Sequence, residues 1–124
     1  MITKAETTEH SSITYKLRAP GVSEHAIYFT IVGDKPDALF INSKSMESFQ
    51  WITALMTSYS RQIDSGTNIN SIINDMKETF NPDGSYIIPD GSGRKVHSLV
   101  HHLGLILDGH VNGKDANVRP IKNG

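Results

Sequence analysis

Residues 26–42 read AIYFTIVGDKPDALFIN, and this stretch decides the class of fold. Ala26 to Val32 is dense in β-branched and aromatic residues, the composition of a central strand. Gly33-Asp34-Lys35-Pro36 is turn chemistry. Asp37 to Asn42 resumes the strand pattern. A connection this short reverses the chain, so the two strands pair antiparallel. Towards the N-terminus, Ile13, Tyr15 and Leu17 alternate with Thr14, Lys16 and Arg18, which is the period of a half-buried strand. Ala19-Pro20-Gly21 stops it. Three strands with tight connections predict an antiparallel meander.

Beyond Asn42 the period changes from two to 3.6. Ser43 or Ser45 is placed to cap a helix. Phe49, Ile52, Met56, Tyr59 and Ile63 then form one apolar stripe, widened by Trp51 and Leu55. Trp51 stands at the margin of that stripe, between core and a possible subunit interface. Gly66 suits the stop. Thr67 or Asn68 caps a second helix with Ile69, Ile72, Ile73, Met76 and Phe80 as its stripe, ended by Pro82. Pro82-Asp83-Gly84 and Pro89-Asp90-Gly91 predict turns on either side of a short strand, Tyr86 to Ile88. A last helix is expected from Val96 to Leu107, with Leu99, Val100, Leu103 and Leu107 inward and Gly104 allowing a neighbour to approach closely. Strands first and helices after make the class α+β: a small antiparallel sheet of three to five strands packed with a long helix, a short helix and a C-terminal helix. The expected organisation is a flexible N-terminal tail over 1–12, a single α+β domain over 13–110 and a C-terminal tail over 111–124, with loop from His110 onward.

The bulk numbers bound the function. The chain has 124 residues, the size of one domain, and no cysteine, which removes disulfides, thiolate metal sites and thiol chemistry. Lys plus Arg is 12 against 13 Asp plus Glu, without the basic excess of a protein that binds long nucleic acid. The N-terminal MITKAETTEHSS lacks the apolar core of a signal peptide, and no apolar run approaches the ~20 residues of a membrane span. A soluble cytoplasmic protein is expected.

The chemistry-bearing residues concentrate between Phe80 and His110. Gly91-Ser92-Gly93-Arg94-Lys95 precedes the last helix, where backbone N–H groups, the positive helix end and two cations suit a phosphate. It lacks the lysine-terminated loop of P-loop NTPases and the dinucleotide-binding glycine spacing, and basic Gly-rich loops are more often mobile surface loops with solubilising charge. Phe80 and Tyr86 flank the first Pro-Asp-Gly turn, and aromatics on loops stack on bases; the periodicity alone puts Phe80 in the core instead. His97 and His101 share a helical face near Asp108, a fragment of a zinc pattern without the metalloprotease glutamate. Ser98 beside histidines lacks the strand–turn–helix elbow of a hydrolase nucleophile. The histidines read as bystanders on a core helix. Arg18, His25 and Arg61 are candidates for a second anion site that no motif carries.

The stretch from Gly21 to His110 resembles the small TSCPD domain at the C-terminal end of cobalamin-dependent ribonucleotide reductases. The likeness lies in AIYFTIVGDKPDALFIN, in the long helix MESFQWITALMTSYSRQIDSG, in NINSIINDMKETF and in VHSLVHHLGLIL. Ser98 matches the serine of the motif that names the domain, whereas Leu99 and Val100 stand where its Cys and Pro would follow. Free-standing proteins of similar length and element order form the first Thoeris anti-defence family of phages. The resemblance implies a homo-oligomer, dimer-based or hexameric, that sequesters cyclic ADP-ribose isomers, and in some members cyclic di- or trinucleotides, without cleaving them. It implies no enzyme activity and no cofactor, and, for a phage protein, the host bacterial cytoplasm. Phe80 would stack on adenine, Asp90, Arg94 and Lys95 would contact ribose and phosphates, and Arg119 would close the site. The alternative it leaves open is an accessory domain related to ribonucleotide reductase that acts by protein contact.

Overall fold

The structure, a computed structural model, describes residues 12–44, 49–81 and 84–113. Three strands, β1 (Ser12–Leu17), β2 (Ile27–Val32) and β3 (Ala38–Ser43), form an antiparallel sheet in chain order. Phe29 lies opposite both Tyr15 and Ile41, and Ile31 opposite both Ile13 and Leu39. The alternation therefore buries Tyr15, Leu17, Ile27, Phe29, Ile31, Leu39 and Ile41 on one face. Thr14, Lys16, Tyr28, Thr30 and Phe40 point the other way, and the Thr14 and Thr30 hydroxyls meet across the strands at 2.9 Å. The turn after β2 is closed by Asp37 N–H donating to the Val32 carbonyl at 2.8 Å. Gly33 is required there: its φ is +88°, and a Cβ would sit 2.8 Å from the Lys35 carbonyl oxygen.

Helix α1 (Gln50–Asp64) runs against β3. Ile52, Met56 and Tyr59 are its buried stripe. Leu39 N–H donates to the Ser60 hydroxyl at 3.0 Å, and that hydroxyl donates to the Met56 carbonyl at 2.8 Å, so the helix occupies a backbone group of the sheet edge. Ser43 does not cap α1 as the sequence suggests. It ends β3, and its hydroxyl donates to the Ala26 carbonyl; Ser45 lies outside the described residues. Gly66 stops the helix with φ +94°. Helix α2 (Ile69–Lys77) is capped by Asn68, whose side chain accepts from Asn70 N–H.

Two short strands, β4 (Tyr86–Ile87) and β5 (Lys95–Val96), make a second, two-stranded sheet. Helix α3 (Leu99–Asn112) follows. It begins three residues later than the apolar pattern predicts, because Val96 is used in β5 opposite Tyr86. It also ends later. His110, Val111 and Asn112, expected in a tail, complete the helix, and Gly113 terminates it with φ +71°. The polar residues that made the end look like a loop each have a tertiary partner. Asp108 pairs with Lys77. Asn112 donates to Asp108 at 2.7 Å and to Asn70 at 2.9 Å. His110 Nε2 donates to the Gly33 carbonyl at 3.1 Å, which leaves Nδ1 to accept the Tyr15 hydroxyl at 3.0 Å.

Helix α3 is the centre of the molecule. Its buried residues run almost all the way round it, from Leu99 and Val100 through His102–Asp108, the pattern of a helix enclosed by other elements. Its closest neighbour is α2, which lies antiparallel to it, with Asn70 beside Asn112 at one end and Thr79 beside Ser98 at the other. Gly104 makes this approach possible: an added Cβ would lie 2.8 Å from Met76 Cβ and 3.2 Å from Lys77 N.

Candidate functional site

The end of the α2–α3 pair that carries Ser98 holds the chemistry. Residues leaving α2 are clipped to those entering α3. Asn81 N–H donates to the His97 carbonyl at 3.1 Å, and the Ser98 hydroxyl donates to the Thr79 carbonyl at 2.7 Å. Ser98 Oγ also accepts from His101 N–H at 3.0 Å and so caps α3. Both roles occupy the hydroxyl with backbone groups; it is a structural joint. Ser98→Ala removes a cap and leaves the Thr79 carbonyl short of a donor, so unfolding titrations should show a loss of about 2 kcal/mol.

The clip holds Phe80 outward. Phe80 is 65% exposed, and its ring lies 4.8 Å from the His97 imidazole at an interplanar angle of 38°. His97 in turn stacks on His101, with centroids 5.2 Å apart and planes at 20°. Three rings from two chain segments thus form a ladder. His97 N–H donates to His101 Nδ1 at 3.0 Å and fixes the inner ring. Burial first, then His97, Arg94 and Lys77, disfavour a proton on His101 and lower its pKa. Arg94, in the β4–β5 connection, and Lys77, the last residue of α2, are among the charges that oppose that proton, and the Lys77 ammonium is itself paired with Asp108.

Phe80, predicted to complete the apolar stripe of α2, lies outside that helix. The helix closes at Lys77, and the clip at Thr79 and Asn81 turns the aromatic to the surface. The histidines that the sequence reading set aside are the ones the structure brings against Phe80. Their four-residue spacing was visible, but His97 precedes the helix rather than lying in it, and the contact with Phe80 arises only from the pairing of 79–81 with 97–98.

The β4–β5 connection keeps its own polar groups occupied. Ile88 N–H donates to the Arg94 carbonyl at 2.8 Å, Ser92 N–H to the Asp90 carboxylate at 2.9 Å, and Arg94 N–H to the Ser92 hydroxyl at 3.1 Å. The bonds from Ser92 hold the Asp90 carboxyl below its usual range. Asp90 N–H is used too, on the Ile88 carbonyl at 2.9 Å. Four amides are thus occupied, two of them in the 91–95 loop, and β5 lies between that loop and the start of α3. Lys95 is exposed on β5, and Arg94, half-buried, precedes it.

Other expected site residues are distributed differently. Tyr86 is buried, and its hydroxyl meets His102 Nδ1 at 2.5 Å, so it belongs to the interior and not to a stacking surface. The strand register puts Arg18 and His25 beside the Leu17–Ile27 pair, whereas Arg61 follows Ser60, which bonds Leu39 four rows along. At ~3.4 Å per residue this offsets their attachment points along the sheet by about 14 Å. Trp51 is 54% exposed on α1. Arg119 lies outside the described residues. Asp108 is engaged by Lys77 and Asn112, and no three His, Asp or Glu side chains converge in a metal-binding arrangement among the described residues.

Fold and site together define a small α+β protein with an aromatic–imidazole ladder at one end of its α2–α3 pair. No family model, curated protein or solved structure matches the chain. No helix among the described residues is long and apolar enough to cross a membrane.

Proposed function

We propose that this protein binds and sequesters a small cyclic nucleotide-derived signal, a cyclic ADP-ribose isomer or a cyclic di- or trinucleotide, without cleaving it. The observation that carries this reading is the exposed Phe80 ring held against His97, which stacks in turn on His101, with Arg94 and Lys95 on the neighbouring β4–β5 hairpin. An exposed aromatic clamped in place offers a face for a base, and cations beside it suit phosphates. The Ser98 hydroxyl, next in sequence to His97, is held by backbone at both sides, in keeping with binding and no reaction. A small domain encloses more of such a ligand when a second copy contributes to the site, so the reading includes a homo-oligomer, acting in the bacterial cytoplasm.

The test is incubation with a cyclic ADP-ribose isomer followed by heat denaturation of the protein. Intact ligand in the supernatant, after its depletion from the free pool, is the expected result. A cleaved product would make the protein an enzyme, and no depletion with any cyclic nucleotide would sink the reading. Phe80→Ala should weaken binding by about 10- to 100-fold, the value of one base–aromatic stack. Its thermal midpoint should stay near that of the wild type, because the ring is not part of the core.

A further inference from the structure

We infer that His101 is a neutral hydrogen-bond donor to an acceptor oxygen of the bound ligand, through Nε2, and that this donor discriminates among ligands at the Phe80 ladder. The inference rests on the nucleotide-binding reading and assigns the ligand class at one atom: a phosphate or ring carbonyl oxygen, not a metal ion.

The geometry fixes the tautomer. A backbone N–H can only donate, so His101 Nδ1, 3.0 Å from His97 N, must accept. The ring proton of the neutral imidazole then resides on Nε2. Adding a second proton at Nδ1 would set two N–H groups against each other. The groups around the ring favour the same state, since His97, Arg94 and Lys77 all oppose a further positive charge there. His101 is only half-buried, and its Nε2 has no hydrogen-bond partner among the described residues. The stack on His97, at 20° and 5.2 Å, holds the plane of the ring. The result is a donor of fixed direction and fixed protonation at the inner end of the aromatic ladder. A metal ion needs a lone pair at Nε2, which this tautomer does not have. An oxygen of a phosphate diester or a base carbonyl needs the N–H that it does have.

Two substitutions separate the donor from the ring. His101→Phe keeps a stacking ring and removes the N–H. His101→Gln removes the ring and keeps an amide N–H at similar reach. Binding of cyclic ADP-ribose to the full-length protein, measured by titration calorimetry with a thermal midpoint for each variant, should fall 10- to 100-fold in His101→Phe and stay within about threefold of the wild type in His101→Gln. Wild-type affinity in His101→Phe would overturn the assignment. Equal losses in both variants would overturn it as well, because shape and not donation would then be what the site uses. Absence of binding in the wild-type protein is a different failure: it removes the nucleotide reading itself, and this inference with it.

Discussion

Gly104→Val should lower the stability of this protein by more than about 3 kcal/mol, and Gly104→Ala by about 1–2 kcal/mol. Two effects oppose each other at this position. Alanine is the better helix former by about 1 kcal/mol, so in an open helix it would stabilise. Here its Cβ would lie 2.8 Å from Met76 Cβ and 3.2 Å from Lys77 N, against an ordinary contact of ~3.5–4.0 Å. Neither neighbour is the tip of a flexible chain; both move only if α2 moves. Displacing α2 stretches the Lys77–Asp108 pair, the Asn70–Asn112 bond and the Ser98–Thr79 bond together. The overpacking cost therefore exceeds the propensity gain, and valine, with two further methyls in the same gap, makes it larger. Urea unfolding of both variants checks this. A Gly104→Ala protein more stable than wild type would mean that the two helices have room to part. Because the ladder sits at one end of this helix pair, ligand binding in Gly104→Ala should weaken as well.

The sheet was legible because its signal is local. Ile13, Tyr15 and Leu17 and then Ile27, Phe29 and Ile31 alternate without interruption, and the Gly33 turn leaves one way for the strands to meet. The bodies of α1 and α2 were legible from single apolar stripes. The errors fall where a tertiary partner changes the meaning of a residue. Val96 continues the apolar phase of α3, yet pairs with Tyr86 in a hairpin. Phe80 continues the phase of α2, yet the chain has already left the helix. Asp108, His110 and Asn112 look like the start of a polar tail, and each is polar because another segment needs a partner there. The site is of this second kind. Arg94 was visible as a cation near a turn, and Phe80 as an aromatic, but the imidazoles that join them are arranged by the bonds Asn81–His97, Ser98–Thr79 and His97–His101. Two of those three link residues far apart in sequence, and no periodicity reports them.

Between about pH 6.5 and pH 4 the protein should lose on the order of 3 kcal/mol of stability through one buried histidine. His102 is 1% exposed. Burial, and to a smaller extent His101, push its pKa down to about 4, with Asp90 opposing them. An unfolded histidine titrates near 6.5. In the window between, the unfolded chain holds a proton that the folded chain refuses, so unfolding becomes easier as the pH drops. Above about 6.5 both states are neutral and the contribution is complete; by about 4 it is gone. A gap of about 2.5 units at 1.36 kcal/mol each gives the stated size. His101 shifts in the same direction and adds to the slope. The buried pair also predicts how to remove the effect. The Tyr86 hydroxyl and His102 Nδ1 are bonded to each other, while His102 Nε2 has no partner among the described residues, so the pair is an incompletely satisfied polar island. His102→Leu alone strands the tyrosine hydroxyl and should cost about 1–3 kcal/mol at pH 7. Tyr86→Phe combined with His102→Leu removes both polar groups and should be near neutral or stabilising at pH 7, with a much flatter stability profile from pH 6.5 to 4. Urea titrations of the three proteins across that range decide the matter. An acid transition unchanged in the double variant would place its origin in other groups, and a double variant clearly less stable than the wild type at pH 7 would show that the tyrosine–histidine bond contributes more than its burial costs.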